Sequence, residues 1–153
     1  MKSLKAFFDK LVLTVTSTLF GVMVIIVFMQ VIFRYVFQNS LSWSEEVARY
    51  IFVWLVFLGA GYVLGQNAHV NLDAVVTRLP KTFRLILSKV NAILLFAYSF
   101  IITRYGFELF KVGMRQRSSA LQIPMHIIYI VLPVSGVLLM FYSIYKLFYD
   151  EGR

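Results

Sequence analysis

The stretch LVLTVTSTLFGVMVIIVFMQVIF, residues 11–33, decides the fold of this chain. Its 23 residues carry no charge, and they stand between Lys10 and Arg34. As an α-helix the stretch would be roughly 34 Å long, which is enough to cross the hydrocarbon core of a bilayer. A cleaved signal peptide has an apolar part of only about 7–15 residues. We therefore predict an uncleaved membrane span.

The composition of the whole chain also indicates that its solvent is mostly lipid. Of the 153 residues, 60% are apolar, 14% are charged and none is cysteine, and the mean hydropathy is +0.80. A soluble chain would be about a quarter charged because it needs a surface that faces water. The length fits one unit of several spans and leaves no room for a separate catalytic or nucleotide-binding domain.

Three further apolar stretches predict three further spans. The third span of the chain is interrupted by charge. It can cross the membrane only if Lys89 and Arg104 reach the headgroups or if Arg104 pairs with Glu108 one turn on. The predicted fold class is an all-α integral membrane protein, a bundle of four transmembrane helices in a single domain, with short amphipathic helices at the interface. The predicted spans are residues 11–33, 46–67, 85–109 and 123–147, and the predicted interfacial segments are residues 2–10 and 71–80.

The start of the second span and its glycines carry local signals. Ser42 and Glu45 fit a capping box, in which the Ser42 hydroxyl accepts a backbone N–H and the Glu45 carboxylate reaches back. Gly61 and Gly65 form a GxxxG pair, which would let two backbones approach closely in lipid. Chance spacing in a helix that tolerates glycine is an equally good interpretation of this pair.

The fourth span contains two prolines that predict different features. Pro124 suits the first helical turn, where its missing N–H costs nothing. Pro133 lies inside the span, removes the hydrogen bond to the Tyr129 carbonyl and predicts a kink. Such a kink either shapes the packing or marks a moving part.

The net charge of +8 is explained by the membrane. The basic residues stand where apolar runs end, which is where they hold span ends at the headgroups, so we predict no nucleic-acid partner. Four spans place both termini on one side, and that side holds nine Lys and Arg against six on the other. The excess predicts that both termini are cytoplasmic.

The chain offers no constellation for catalysis. A phosphate-binding GxxxxGK[ST] motif is absent, and His69 and His126 are too far apart along the chain, on opposite predicted sides, to share a metal. A proton or ion relay would need carboxylates near the bilayer middle, and the predicted spans place none there. We predict no catalytic residue, no metal site, no cofactor and no enzymatic activity.

The densest polar group stands at the predicted outer ends of the first two spans. Gln30 and Arg34 are one turn apart, and Glu45, Glu46 and Arg49 follow after a short loop. We predict that Arg34 pairs across the helices with the two carboxylates. Snorkelling to the headgroups and pairing of Glu45 with Arg49 along their own helix are the alternatives.

These residues also carry a resemblance to a known family. Arg34-Tyr35, the run Ser42-Trp43-Ser44-Glu45-Glu46 and Arg49 resemble the small membrane subunit, of the DctQ type, of tripartite ATP-independent periplasmic (TRAP) transporters. So do Trp54, the run Phe57-Leu58-Gly59-Ala60 and His69, and, in the fourth span, Ile123-Pro124 and Pro133. The resemblance covers nearly the whole chain, and residues 34–69 are its specific part.

The resemblance implies a non-catalytic scaffold in a bacterial inner membrane. The implied partners are a large multi-span subunit that moves as an elevator, and a periplasmic binding protein that delivers an organic acid, such as a dicarboxylate or sialic acid, for sodium-coupled uptake. Lys111, Arg115 and Arg117 are candidates for contact with the binding protein, although contact with headgroups explains them equally well. The candidate structural or interface residues are Gln30, Arg34, Trp43, Glu45, Glu46, Arg49, Trp54, Gly59, Gly61 and Gly65.

A second function remains open at this point. A small channel or carrier that assembles with itself would act without a larger subunit, and it would show flux in liposomes that contain this chain alone.

Overall fold

The structure, a computed structural model, describes residues 2–65 and 81–149. These residues form helices and connecting loops, and no strand is present among them. Four helical stretches are long and apolar enough to cross a membrane, which confirms the all-α fold class with four spanning helices: Ser3–Tyr35, Ser42–Leu64, Lys89–Gly113 and His126–Tyr145. The helices are α1 (Lys2–Tyr35), α2 (Ser42–Gly65), α3 (Lys81–Gly113), α4 (His126–Tyr129) and α5 (Val131–Tyr149).

The ends of these helices differ from the predicted bounds. Residues 2–10 are not a separate segment, because α1 continues unbroken through them to Tyr35. No proline occurs in that range to interrupt it. The apolar part of α3 is Lys89–Gly113, so its middle residue is Ile101, four residues later than the middle of the predicted span. The predicted interfacial segment 71–80 and the last two residues of the predicted second span lie outside the described residues.

The fourth span is two helices rather than one. Pro124 lies before the first of them, in an isolated bridge with Arg117, and α4 begins at His126. The two helices meet at Ile130, three residues before Pro133, and the backbone of Ile130 is itself α-helical, with φ −59° and ψ −23°. Pro133 has no N–H to donate to the Tyr129 carbonyl, so the helical ladder lacks a bond at this point.

The helix α5 lies at the centre of the bundle, against α2 and α3. Within an 18-residue stretch of the span that contains it, 44% of the residues are buried, compared with 6–11% in the corresponding stretches of the other three. On the α2 side, Leu138 and Tyr142 pack with Leu58 of α2 and Val12 of α1. The other three spans therefore expose most of their apolar surface at the periphery.

A row of small residues joins α3 to α5. Ala92, Ser99, Gly106 and Gly113 recur every seven residues, and all four are buried. A Cβ atom on Gly136 of α5 would lie 3.0 Å from the Thr103 backbone nitrogen and 3.1 Å from the Ser99 carbonyl oxygen. The two backbones are therefore in direct contact, as small residues permit between membrane helices.

Hydrogen bonds attach α1 at both of its ends. Near its start, the Tyr142 hydroxyl donates to the Asp9 carboxylate at 2.6 Å, and Lys5 Nζ lies 3.1 Å from the same carboxylate. Near its end, the Gln30 amide donates to Glu45 Oε1 at 3.2 Å. These contacts hold α1 against α5 at one end of the bundle and against α2 at the other.

Candidate functional site

The polar site of the structure is built on the loop that connects α3 to α4, residues 114–125. The loop folds back on itself: the Ser118 N–H donates to the Ile123 carbonyl at 2.9 Å, and the Met125 N–H donates to the Gln116 carbonyl at 3.0 Å. Gln122 makes the reversal possible with a positive φ of 56°. The buried Ser118 hydroxyl accepts the Ile123 N–H at 3.0 Å. The loop thus has a defined conformation.

Glu46, in the first turns of α2, binds the tip of this loop. Its Oε2 accepts the Ala120 and Leu121 backbone N–H groups at 3.0 and 2.9 Å, and its Oε1 accepts the Ser119 N–H at 3.1 Å. The Tyr50 hydroxyl donates to Oε1 at 2.5 Å. Glu46 is only 8% exposed. We call this arrangement the Glu46 clamp.

The chemistry of the clamp is that of an anion held by consecutive backbone amides. An ionised carboxylate is an acceptor only, and here it meets donors only, three N–H groups and one O–H. Bonds to a charged acceptor are stronger than those between neutral groups. The clamp therefore fixes the α3–α4 loop on α2 but leaves no oxygen of Glu46 unoccupied for a substrate.

The clamp borders an open groove of about 410 Å³ on the surface of the loop. Arg49 and Arg117 line it together with the Glu46 clamp. Arg117 also donates from Nη1 to the Gln122 carbonyl at 3.1 Å, which directs its side chain along the loop. The groove is open, without the enclosure that a small-molecule site needs.

The predicted pairing of Arg34 with Glu45 and Glu46 is wrong. Neighbouring residues of a helix point about 100° apart, so the two carboxylates face different elements. Glu46 faces the loop and Glu45 faces Gln30 of α1. Arg34 is exposed, and its guanidinium lies 6.0 Å from the centre of the Tyr35 ring. Of the predicted cluster, the structure therefore joins Gln30 with Glu45 only.

The predicted capping box is also absent. The first turn of α2 is closed by Ser44, whose hydroxyl donates to the Leu41 carbonyl at 2.7 Å. Glu45 does not reach back to Ser42, because its carboxylate is bound to Gln30. Arg49 forms no ion pair with Glu45 in the described part of the chain.

The remaining candidates on α2 fall on two sides of the helix. Trp54 packs against the core, whereas Trp43 is 38% exposed. A Cβ on Gly61 would lie 2.8 Å from Leu138 Cδ2, so Gly61 admits α5, while Gly59 has open space. Gly65 is the last residue of α2. The close contact at Gly61 is with a side chain rather than with another backbone.

The basic candidates of the loop region are exposed. Lys111 Nζ lies 4.9 Å from the centre of the Phe107 ring, near the end of α3. Arg115 and Arg117 follow it at the beginning of the loop, and neither forms an ion pair among residues 2–65 and 81–149. Pro133 packs on α3, where a Cβ on Gly106 would lie 3.0 Å from its Cδ.

Sequence reasoning missed the partners of Glu46 and the α3–α5 contact. The Ser119–Leu121 amides have no side-chain signature, so nothing in the sequence marks them. The α3–α5 contact did have a signal, the seven-residue recurrence from Ala92 to Gly113. In the described residues no three His, Asp or Glu side chains come together as metal ligands.

Comparison with known proteins shows which family this chain is similar to. The sequence model described as "Tripartite ATP-independent periplasmic transporters, DctQ component" matches residues 23–151. The chain is 25% identical to the sialic acid TRAP transporter small permease protein SiaQ of Vibrio cholerae, over 97% of this chain and 86% of that protein.

Two further relatives are much longer than this chain. The chain is 28% identical to the sialic acid TRAP transporter permease protein SiaT of Haemophilus influenzae, over 84% of this chain but only 20% of that protein. It is 32% identical to the isethionate TRAP transporter permease protein DctMQ of Oleidesulfovibrio alaskensis, over 61% of this chain and 15% of that protein. In both relatives the matched segment is therefore a minor part of a larger permease polypeptide.

Proposed function

This chain belongs to the DctQ component family of TRAP transporters, and on that premise we propose that it is a small permease subunit that braces a larger membrane subunit. The larger subunit carries the substrate and sodium sites and moves as an elevator. A periplasmic binding protein supplies the substrate, an organic acid of the dicarboxylate or sialic acid class. The family is one of transporter subunits and not of enzymes.

The observation that carries the proposal is the packed seam between α3 and α5. Its buried hydroxyls are bonded to the helix backbones: Ser99 donates to the Leu95 carbonyl at 2.6 Å, and Ser135 donates to the Leu132 carbonyl at 3.0 Å. A solute that crossed between these helices would have to separate backbones that are in contact. The seam therefore supports a static role.

The ionisable groups near the bundle's interior support the same role. Glu46 is occupied by the loop amides and Tyr50, and Asp9 is bonded to Tyr142 and Lys5. Neither carboxylate stands free along a path between the helices. Coupling of ions to a substrate would need such groups at the transport site, so we place that site in the larger subunit.

The longer relatives support the proposed partner. In SiaT and DctMQ the segment that matches this chain is followed or preceded by several times its own length of permease sequence. Such fusion is expected where two polypeptides work as one assembly. For this chain we propose that the corresponding partner is a separate or covalently continuous large membrane subunit.

The proposal includes a placement in the membrane. We propose that the chain lies in a bacterial inner membrane. We also propose that both termini are cytoplasmic, because Lys and Arg are more numerous on the side of the termini. The α3–α4 loop then lies on the periplasmic side. There Lys111, Arg115 and Arg117 present positive charge to the binding protein, on a loop that the Glu46 clamp holds in one conformation.

Copurification tests the proposal. The tagged chain is coexpressed with the proteins encoded beside it, extracted in mild detergent and isolated by its tag. We expect a stable complex of this chain with a large membrane protein. A chain that elutes only as a monomer or as a homo-oligomer would contradict the proposed function.

A further inference from the structure

The outward face of α3 carries polar groups close to the middle of its span. This face lies opposite the seam with α5, and we call it the α3 polar face. Ile101 is the middle residue of the span Lys89–Gly113. The members of the face are Tyr98, Ile101, Arg104, Tyr105 and Glu108, which recur at intervals of three and four residues and are all exposed.

The charged members of this face lie inside the span of α3 rather than at its end. Arg104 is three residues from the middle of the span, or about 4.5 Å along the axis, and nine residues, or about 13 Å, from the end of α3. Its guanidinium bonds to the Glu108 carboxylate, one turn further along the helix. The side chains of Arg104 and Glu108 are 61% and 48% exposed.

The two tyrosines add unpaired hydroxyls to the same face. Tyr98 and Tyr105 are 57% and 64% exposed, and neither hydroxyl has a hydrogen-bond partner among the described residues. Tyrosines of membrane helices prefer the headgroup level, where the hydroxyl is hydrated. Three and four residues from the middle of the span, these hydroxyls would instead face acyl chains.

Such groups are costly in lipid. Ionisable residues within membrane helices almost always face a protein interior or a water-filled cavity. An unpaired hydroxyl in hydrocarbon also has a desolvation cost. The α1 surface differs from the α3 polar face, because its exposed residues from Phe20 to Phe28, in the second half of the span Ser3–Tyr35, are apolar and suit lipid.

We propose that the α3 polar face is the surface on which this chain binds the large membrane subunit. The inference rests on the proposed function and adds the location of the contact. The occupant is a membrane-embedded protein rather than a soluble one, because the face lies at the depth of the acyl chains. Its contacting helices supply hydrogen-bonding groups to Tyr98 and Tyr105 and cover the Arg104–Glu108 pair.

Site-specific photo-crosslinking tests the location. A p-benzoylphenylalanine replaces Ile101, in the centre of the face, and in a second variant it replaces Ile25 of α1. The two isoleucines are matched in type and similarly exposed, at 52% and 62%. Each variant is coexpressed with the large membrane protein that copurifies with the unmodified chain, irradiated in intact membranes and isolated by its tag.

We expect an adduct with the large membrane protein from position 101 and no such adduct from position 25. Both variants should copurify with the partner before irradiation. Copurification with an equal or stronger adduct at position 25, or without any adduct at either position, would overturn the location and leave the proposed function standing. If the unmodified chain does not copurify, the proposed function fails and the inference fails with it.

Discussion

The clearest consequence of the Glu46 clamp concerns the substitution Glu46→Gln. A glutamine side chain keeps the size of glutamate but replaces one acceptor oxygen with an NH₂ donor. If the nitrogen stands in place of Oε2, the Ala120 and Leu121 amides lose their acceptor. If it stands in place of Oε1, the Ser119 amide loses its acceptor, whereas the Tyr50 hydroxyl can turn and accept from the NH₂ group. In either orientation at least one N–H group of the loop is left without its acceptor.

The size of the effect follows from that count. A hydrogen bond to a charged group contributes about a factor of ten or more to an equilibrium constant, so one lost bond, together with the weaker bonds that a neutral acceptor makes with the other donors, corresponds to roughly a hundredfold. Water and relaxation of the loop will recover part of this loss. We expect the population in which the loop is detached from α2 to rise by at least about 30-fold.

Hydrogen–deuterium exchange of the peptide that contains residues 118–122 measures this population. The purified protein is compared in the same detergent as wild type, Glu46→Gln and the control Glu45→Gln. Glu45 is the adjacent carboxylate, but it is exposed and bonds Gln30 rather than the loop. Faster exchange of the loop in Glu46→Gln alone supports the clamp. Loop exchange in Glu46→Gln that equals that in wild type would refute it.

The seam and the ends of the bundle give three further predictions. Gly136→Ala should lower the melting temperature, because its Cβ would meet the α3 backbone at 3.0 Å and lower the free energy of unfolding by about 1–3 kcal/mol. The control Gly59→Ala, where a Cβ has open space, should not lower the melting temperature. Equal melting temperatures for the two variants would contradict the close approach. Tyr142→Phe should lower the free energy of unfolding by about 1–3 kcal/mol, and with it the melting temperature, because it removes the 2.6 Å hydrogen bond to Asp9. The control Tyr35→Phe, at an exposed ring, should leave the melting temperature unchanged. A neutral Tyr142→Phe would show that α1 is held by other contacts. The variant Glu108→Gln, which keeps shape but removes the charge that pairs with Arg104, should reduce the yield of the complex with the large subunit, while Asp9→Glu should not; the measurement is the ratio of the two proteins after affinity isolation.

The four spans could be predicted from the sequence because lipid imposes one simple rule. A helix such as α1 needs an uncharged stretch of sufficient length, and that stretch is visible without knowledge of any contact. The pair Arg104–Glu108 could also be predicted, because spacing by four residues fixes proximity within a helix. What depended on one helix alone was therefore accessible.

Contacts between elements were less accessible. Glu46 binds backbone N–H groups, which every residue except proline has, so no residue type in the sequence indicates them. Arg34 was assigned to the wrong partner because Glu45 and Glu46 are adjacent in sequence but diverge around the helix axis. The third span was predicted to end at residue 109, whereas the apolar helix continues to Gly113.

Transport by reconstituted vesicles tests most directly whether this chain is a brace rather than a carrier. Uptake of a radiolabelled organic acid is measured with a sodium gradient and the binding protein, in vesicles that hold this chain alone, the large subunit alone or both. We predict uptake with both subunits and none above empty vesicles with this chain alone. Sustained uptake by vesicles that contain only this chain would contradict the account.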